Sequence, residues 1–406
     1  MGDVSGTSMR VTGWVSGPNQ RGTIDIVWSS IFTIFLCTWT AICLNIPRPS
    51  DSKHRHLYTR LKWMLLAILY PELVFAVAIG QYASARRSLK RFHNLGHMNW
   101  TLRHGFFADM GGILLQPNDD DPFVVNSYQL FNLVRKNLVE FPAITEEEIW
   151  DKSKADTLTR FLTILQAGWL IIQLIGRAIL RLPTSTLELS ACSIVFCTLG
   201  TFLCWLHKPS DVQKGIVLVA DFPSNQLLLE AGGIPIQPYR HSYIDAAGKD
   251  SFSCIYDIMR FSSKSSTKTD LPLRHFPNDR INSMDRRYAV LILCFNVAYT
   301  AFHLIGWYFT FPTTTEALLW KVSSLAAIAL GIFSWVLERE KPITADRVKA
   351  GTKDRAVAWK VALRITLVFF ISLARFYIII ESLIGLREMP VAVYKNFEVA
   401  DALPHW

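Results

Sequence analysis

The sequence predicts an all-α fold: a polytopic membrane helical bundle of about seven transmembrane helices, with amphipathic or interfacial helices in its cytosolic loops. Three observations predict it. Half of the 406 residues are hydrophobic and 12% are aromatic, too apolar for one soluble domain. Seven windows hold roughly 20 mostly apolar residues with few charges, the length that crosses a hydrocarbon layer. The basic residues behind the net charge of +9 gather beside those windows, as in membrane-flanking loops, and not in a stripe suited to nucleic acid.

Residues 1–23 are a polar, Gly/Ser-rich tail without the apolar run of a cleavable signal peptide. A single transmembrane domain then occupies 24–384, with spans near 24–46, 61–82, 160–182, 187–206, 287–311, 317–337 and 359–384. In the 83–159 loop, Val124, Tyr128, Phe131, Val134 and Leu138 recur at helical spacing, which predicts an amphipathic helix able to lie on the membrane surface. Thr145 to Glu148 reads as a capping box, from which a helix would run unbroken into the third span. The 207–286 loop is cut by Pro209, Pro223, Pro235, Pro238, Pro272 and Pro277, so it is expected to be mostly irregular. Residues 385–406 form a C-terminal tail.

Lys and Arg are retained on the cytosolic side. The 338–360 linker carries seven of them and the 311–316 turn none, which makes 338–360 cytosolic. With seven spans, the N-terminus and both long loops are then cytosolic and the C-terminus is lumenal or outside. One loop disagrees: 47–60 holds Arg48, Lys53, Arg55 and Arg60 on the expected lumenal side. Six of the seven cysteines lie in apolar stretches, as small core residues without a disulfide or metal-binding spacing.

Ionisable groups inside a bilayer are costly and mark a functional interior. Asp25, Ser29, Thr33 and Thr40 share roughly one face of the first span, and Pro71-Glu72 sits in the middle of the second. A carboxyl in an apolar interior favours the protonated state that a general acid needs, so Glu72 is the leading catalytic candidate; pairing with an arginine to fix helix packing is the alternative. Gln166, Trp169, Gln173 and Arg177 form a polar stripe on the third span, and Arg364, Ser372 and Arg375 one on the seventh. Two such arginines suit an oxygenated substrate, or internal ion pairs with Glu72 and Glu381. Trp39, Trp169, Trp205 and Trp307 are candidates for an aromatic wall, with ordinary packing as the alternative. The acidic run Asn118–Asp121 and the His93/His97 pair are weak metal signals, better explained as a solvated turn and as unrelated side chains. No metal site is expected.

Three stretches carry a resemblance: Arg21-Gly-Thr-Ile-Asp-Ile-Val-Trp-Ser-Ser30 leading to Cys37-Thr-Trp-Thr40 and Asn45-Ile-Pro47; Phe107-Ala-Asp-Met-Gly-Gly112; and Leu386-Arg-Glu-Met-Pro390 with Tyr394. Together they resemble a family of fungal multi-pass membrane proteins that includes membrane-bound terpene cyclases of meroterpenoid pathways, of the ascofuranone type. The resemblance implies acid-initiated, metal-independent cyclisation of an epoxidised farnesyl substrate in secondary metabolism. It implies an endoplasmic reticulum or other endomembrane location, a lipophilic prenylated phenol or terpenoid as partner, and no cofactor, nucleic acid or obligatory protein partner. Glu72, Asp25 or Asp109 would then move protons, and Arg177 or Arg375 would orient oxygen atoms. A transporter or channel with an intramembrane Glu/Arg pathway, or a non-catalytic membrane scaffold, remains the alternative. The absence of a visible internal repeat weighs against the transporter.

Overall fold

The structure, a computed structural model, describes residues 9–17, 21–48, 51–153, 157–231, 276, 278, 286–339 and 355–396. Strand β1 (Arg10–Thr12) precedes α1 (Thr23–Ala41), α2 (Lys53–Leu69) and α3 (Pro71–Asn94). Short elements follow: α4 (Leu102–Asp109), β2 (Ile113–Gln116), β3 (Phe123–Val124), α5 (Ser127–Arg135) and α6 (Glu146–Asp151). Then come α7 (Thr157–Ile179), α8 (Thr186–Cys204), β4 (Ile216–Val219) and α9 (Ser224–Glu230). The chain closes with α10 (Arg286–Ala301, continued as a 3-10 stretch to Tyr308), α11 (Thr314–Arg339), α12 (Arg355–Ile384) and β5 (Glu388–Pro390).

Among the described residues, α1, α7, α8, α10, α11 and α12 contain six stretches long and apolar enough to cross a membrane. The chain has the build of a membrane protein. Helix α8 is the hub: 61% of its most apolar 18-residue stretch is buried, against 17% for that of α11, and it packs on α1, α3, α7, α10 and α12. Its faces carry Leu187, Ala191, Ile194, Val195 and Cys197, small and branched residues that let five neighbours approach.

The expected straight span at 61–82 is instead a bent pair. Helices α2 and α3 meet at 113°, with Tyr70 between them at φ −139°, ψ 63°. Pro71 explains the break: it has no N–H to continue α2, but its fixed φ suits the first position of a new helix. Such a bend is that of a broken span or of a re-entrant loop. At its start, Arg60 reaches Asp211 beyond the end of α8 (3.0 Å), and near its finish Ser88 accepts from Trp100 Nε1 (2.9 Å), both at the end of the bundle away from β1.

The strand pairing fixes the parity of crossings. β1 pairs antiparallel with β5, Val11 opposite Met389, and Thr23 Oγ1 lies 3.3 Å from Tyr394 OH. The segments preceding the first span and following the last therefore share one end of the bundle, which requires an even number of crossings. Six helices with the bent pair returning to its own side give an even number, and the bent pair counted as a seventh span gives an odd one. The same arrangement places the basic 47–60 loop at the end that carries the other basic loops, removing the disagreement in the charge distribution. The polar tails expected at 1–23 and 385–406 are, where described, partners in this small sheet.

A second correction concerns the two long loops, which fold into one cap. β2 pairs parallel with β4, Ile113 opposite Ile216, and antiparallel with β3, Leu114 opposite Val124. This three-stranded sheet joins residues 103 apart in the chain and adds a few strands to a mostly helical fold. Trp100, Phe107, Leu115, Leu130 and Ile149 fill the core beneath it. Of the stripe expected to lie on the membrane surface, Phe131, Val134 and Leu138 pack on this core, Val124 belongs to β3, and Tyr128 is exposed. The Thr145 capping box forms, but α6 ends at Asp151, so no continuous helix enters α7. The 207–286 segment contributes β4 and α9; its remainder from 232 to 275 and the 340–354 linker lie outside the described residues.

Candidate functional site

The apex of the re-entrant pair brings charge into the bundle. Glu72, in the first turn of α3, forms an ion pair with Arg375 of α12, and both side chains are more than nine-tenths buried. Arg375 Nη1 also donates to Leu69 O (3.4 Å), a carbonyl released where α2 ends. The guanidinium carbon lies 5.5 Å from the Tyr70 ring and 5.4 Å from the Tyr299 ring, distances at which the aromatic quadrupole attracts a cation. Tyr70 OH meets Ser372 Oγ at 2.6 Å, and His303 stands edge-on to Tyr299 at 5.7 Å. Glu72 Oε2 and Arg375 Nε have no hydrogen-bond partner, so each member of the pair keeps one polar atom for another group.

An aromatic stack runs beside this pair. Phe75, one turn past Glu72, stacks on Phe295 of α10 at 3.9 Å; Phe295 stacks on Phe196 of α8 at 4.5 Å, and Phe196 meets Phe302 at 5.3 Å. Gly200 makes room for it, because a Cβ there would collide with the Phe295 ring. Tyr299 follows Phe295 by one helical turn, so the stack and the cation-binding ring share a face of α10.

Of the predicted site residues, the structure unites Glu72 and Arg375 only. Asp25 is exposed at the start of α1, where its Oδ2 accepts from Gly22 N (2.7 Å) as a helix cap. Asp109 is in the cap, its Oδ1 accepting from Ser127 N (3.0 Å). Its helix α4 crosses α3 at Gly105 and Ala85, and Ala85 is about 20 Å along α3 from Glu72. Arg177 is a structural clamp: it donates to the carbonyls of Pro183, Ala392, Val393 and Lys395 at 2.6–3.2 Å, holding the segment after β5. Gln166 bonds Thr33 of α1 (3.0 Å), and Gln173 is half-buried on α7. The Arg364 side chain lies outside the described residues.

The four tryptophans do not form a wall. Trp169 is 47% exposed on the outer face of α7. Trp39 lies under Arg60 (4.5 Å), Trp307 under Lys321 (5.3 Å), and buried Trp205 donates to Gln81 Oε1 (2.9 Å). His93 bonds the Trp100 carbonyl (2.9 Å) while His97 stacks on Phe141 (4.0 Å), and Asp119 accepts from Ser224 N (2.6 Å) at the start of α9. Sequence reasoning missed Tyr70, Tyr299, His303 and the phenylalanine stack. Tyr299 and His303 were findable, being polar groups four residues apart in an apolar span; the phenylalanines were not, since any span carries such rings.

No curated protein and no solved structure matches the chain. Residues 2–231 and 279–406 match a family of unknown function, DUF8562, and since those stretches cover most of its length, the chain belongs to that family.

Proposed function

We propose that the protein is a membrane-embedded terpene cyclase that closes rings on an epoxidised farnesyl (meroterpenoid) substrate without a metal. The observation that carries this reading is the buried Glu72–Arg375 pair, with one unpartnered atom on each side chain and an aromatic stack alongside. The Arg375 guanidinium occupies one Glu72 oxygen, which shifts the roles expected from the sequence. Arg375 Nε–H donates to the epoxide oxygen as its C–O bond breaks, assisted by the Tyr70 hydroxyl. The faces of Phe75, Phe295 and Phe196 stabilise the cation that migrates as rings form. Glu72 Oε2 takes the proton lost when the cation collapses to an alkene, and that proton ends on the former epoxide oxygen. The product is an isomer of the substrate.

The experiment is conversion of epoxidised farnesyl-phenol and farnesyl-quinol compounds in yeast microsomes containing the protein and EDTA, with Glu72→Gln and Arg375→Lys alongside. Isomers of unchanged mass that vanish in both variants support the reading. No conversion by folded, membrane-integrated protein across the panel rejects it.

One observation favours a second reading. The N-terminus of α3 ends inside the bundle beside a charged pair, as the half-helices of transporters do. Glu72-dependent ion or proton flux in proteoliposomes, without product formation, would move the assignment to a transporter.

A further inference from the structure

Helix α7 ends in a motif whose usual residue is missing. Leu182 N donates to Arg177 O (2.8 Å) and Arg181 N to Ala178 O (3.2 Å), the paired bonds of a Schellman cap, which puts Arg181 at the left-handed position that glycine normally holds. Its φ is 53°. The other two non-glycine residues with positive φ among the described residues are Asn137 and Asp211, types that this region tolerates because their short polar side chains bond locally. A long arginine has no such compensation, so its side chain has to be accounted for by its surroundings.

Arg181 lines a cavity of about 370 Å³ at the end of the bundle that carries β1 and β5. The walls come from the α7–α8 turn (Arg181 to Thr186), the segment before α11 (Tyr308 to Pro312), and residues between Gly385 and Val393. The apolar stretches of α7, α8, α10 and α11 end or begin at Ile179, Thr186, Tyr308 and Thr314, so the cavity lies at the level expected for the boundary between hydrocarbon and water. Among the described lining residues Arg181 alone is charged, and no carboxylate of the described residues pairs with it. Thr184, Thr186 and Thr310 add hydroxyls, and Phe309 and Phe311 an apolar wall. The buried Arg177 braces two sides of the cavity, donating to the carbonyls of Pro183, Ala392 and Val393 at 2.6–3.2 Å.

We infer that this cavity binds the terminal phosphate of an anionic lipid. The Arg181 guanidinium takes the charge, the threonine hydroxyls donate to the remaining oxygens, and the first methylenes of the lipid lie on Phe309 and Phe311. Each feature narrows the ligand. A lone cation with no carboxylate in the lining selects an anion, and leaves the ammonium of a choline or ethanolamine head without a counter-charge. A phosphomonoester offers three terminal oxygens to these donors, whereas a fatty acid offers two. A free phosphate would leave the aromatic wall unused, and the volume falls in the range of small-molecule pockets. The site shares no residue with the Glu72–Arg375 pair and does not depend on the cyclase reading.

The test is native mass spectrometry of the full-length protein in detergent, titrated with dioleoyl phosphatidic acid, dioleoyl phosphatidylcholine, dioleoylglycerol and oleate. Arg181→Gly is the central variant, because glycine suits the left-handed position and removes the cation while α7 keeps its cap. It should melt no lower than the wild type and bind phosphatidic acid at least tenfold more weakly; Arg181→Asn, also at ease with positive φ, should do the same. Thr310→Val should lose several-fold. Arg86→Gln removes an exposed cation at the opposite end of the bundle and should bind as the wild type does. Phosphatidic acid should bind at least tenfold more tightly than the other three lipids, and excess inorganic phosphate should not displace it. Unchanged binding in folded Arg181→Gly and Arg181→Asn, or an equal loss in Arg86→Gln, overturns the proposal. So does equal affinity for phosphatidylcholine or oleate, which would make the terminal phosphate irrelevant, and so does displacement by inorganic phosphate, which would make the site one for a free anion.

Discussion

Glu72 and Arg375, 303 residues apart in the chain, form a buried ion pair that ties the apex of the re-entrant helices to the last span. Removing one partner strands the other without its counter-charge. Arg375→Leu is therefore expected to destabilise by about 3–5 kcal/mol, the usual cost of breaking a buried pair from one side. The Glu72→Leu/Arg375→Leu double variant should recover most of that loss. Unfolding in detergent, arranged as a double-mutant cycle, reads this directly. Additive losses would show that the pair contributes nothing as a pair.

The pairing of β1 with β5 and the return of α2–α3 make a prediction about sidedness. Arg48, Arg55, Arg60, Arg86, Arg87 and Lys90 all belong to the end of the bundle that carries the cap. That end should be cytosolic and the β1–β5 end lumenal. Glycosylation sequons added before residue 9 and after residue 396 should both be modified in microsomes. The native Asn99-Trp-Thr101 sequon in the cap should stay unmodified. Modification of only one added site would restore an odd number of crossings.

Lys208 is buried between cap and bundle, and its Nζ donates to Cys43 O (2.7 Å), Asn45 Oδ1 (3.1 Å) and Gln81 Oε1 (2.9 Å). Burial pushes its pKa down from 10.5 to about 8. Between those values the unfolded chain holds a proton that the folded chain has released, so stability rises with pH from about 8 to 10.5. Below about 8 both states are protonated and the slope vanishes. Lys208→Met should remove the slope, and should cost about 1–3 kcal/mol near neutrality by leaving buried acceptors unpaired. Melting curves at pH 7 and 9.5 separate the two effects; an unchanged slope in the variant would assign it to another group.

How far the sequence was legible follows from these residues. The six helices long and apolar enough to cross a membrane were, because twenty apolar residues in a row have few other uses. Glu72 was, because a carboxylate in such a run is expensive. Its partner was narrowed to a few arginines but not chosen: 1.5 Å of rise per residue gives a depth along α12, not which helix faces it. The break at Tyr70 was legible as Pro71, although the angle it makes was not, since proline in a span either kinks or starts a new helix. Of the cap, the α5 helix and the Thr145 capping box were legible, and the sheet that joins its two halves was not. That sheet depends on Ile113 meeting Ile216, and four-residue strands separated by two spans leave no local pattern to join them.

His104 makes the cap sensitive to acid. Its Nδ1 accepts from Thr101 N (3.2 Å), which leaves the proton on Nε2 to bond the Ile144 carbonyl (2.9 Å). Burial lowers its pKa below the usual 6.5, opposed by the Ile144 bond and by Glu146 and aided by Arg103. The neutral ring is thus the folded form. A second proton would turn Nδ1 into a donor that still meets Thr101 Oγ1 (2.8 Å) but no longer accepts from the Thr101 N–H, loosening the cap of α4. Because the folded value is the lower one, stability is complete above about 6.5 and falls as the pH drops through the folded value. Hydrogen exchange across 101–109 and 144–151, corrected for intrinsic rates, should speed up several-fold between pH 7.5 and 5.5 while α8 stays protected. His104→Gln keeps an acceptor for Thr101 and has no proton to take up, so its exchange should not respond to acid. Equal acid sensitivity in both proteins would place the sensitive group elsewhere in the cap.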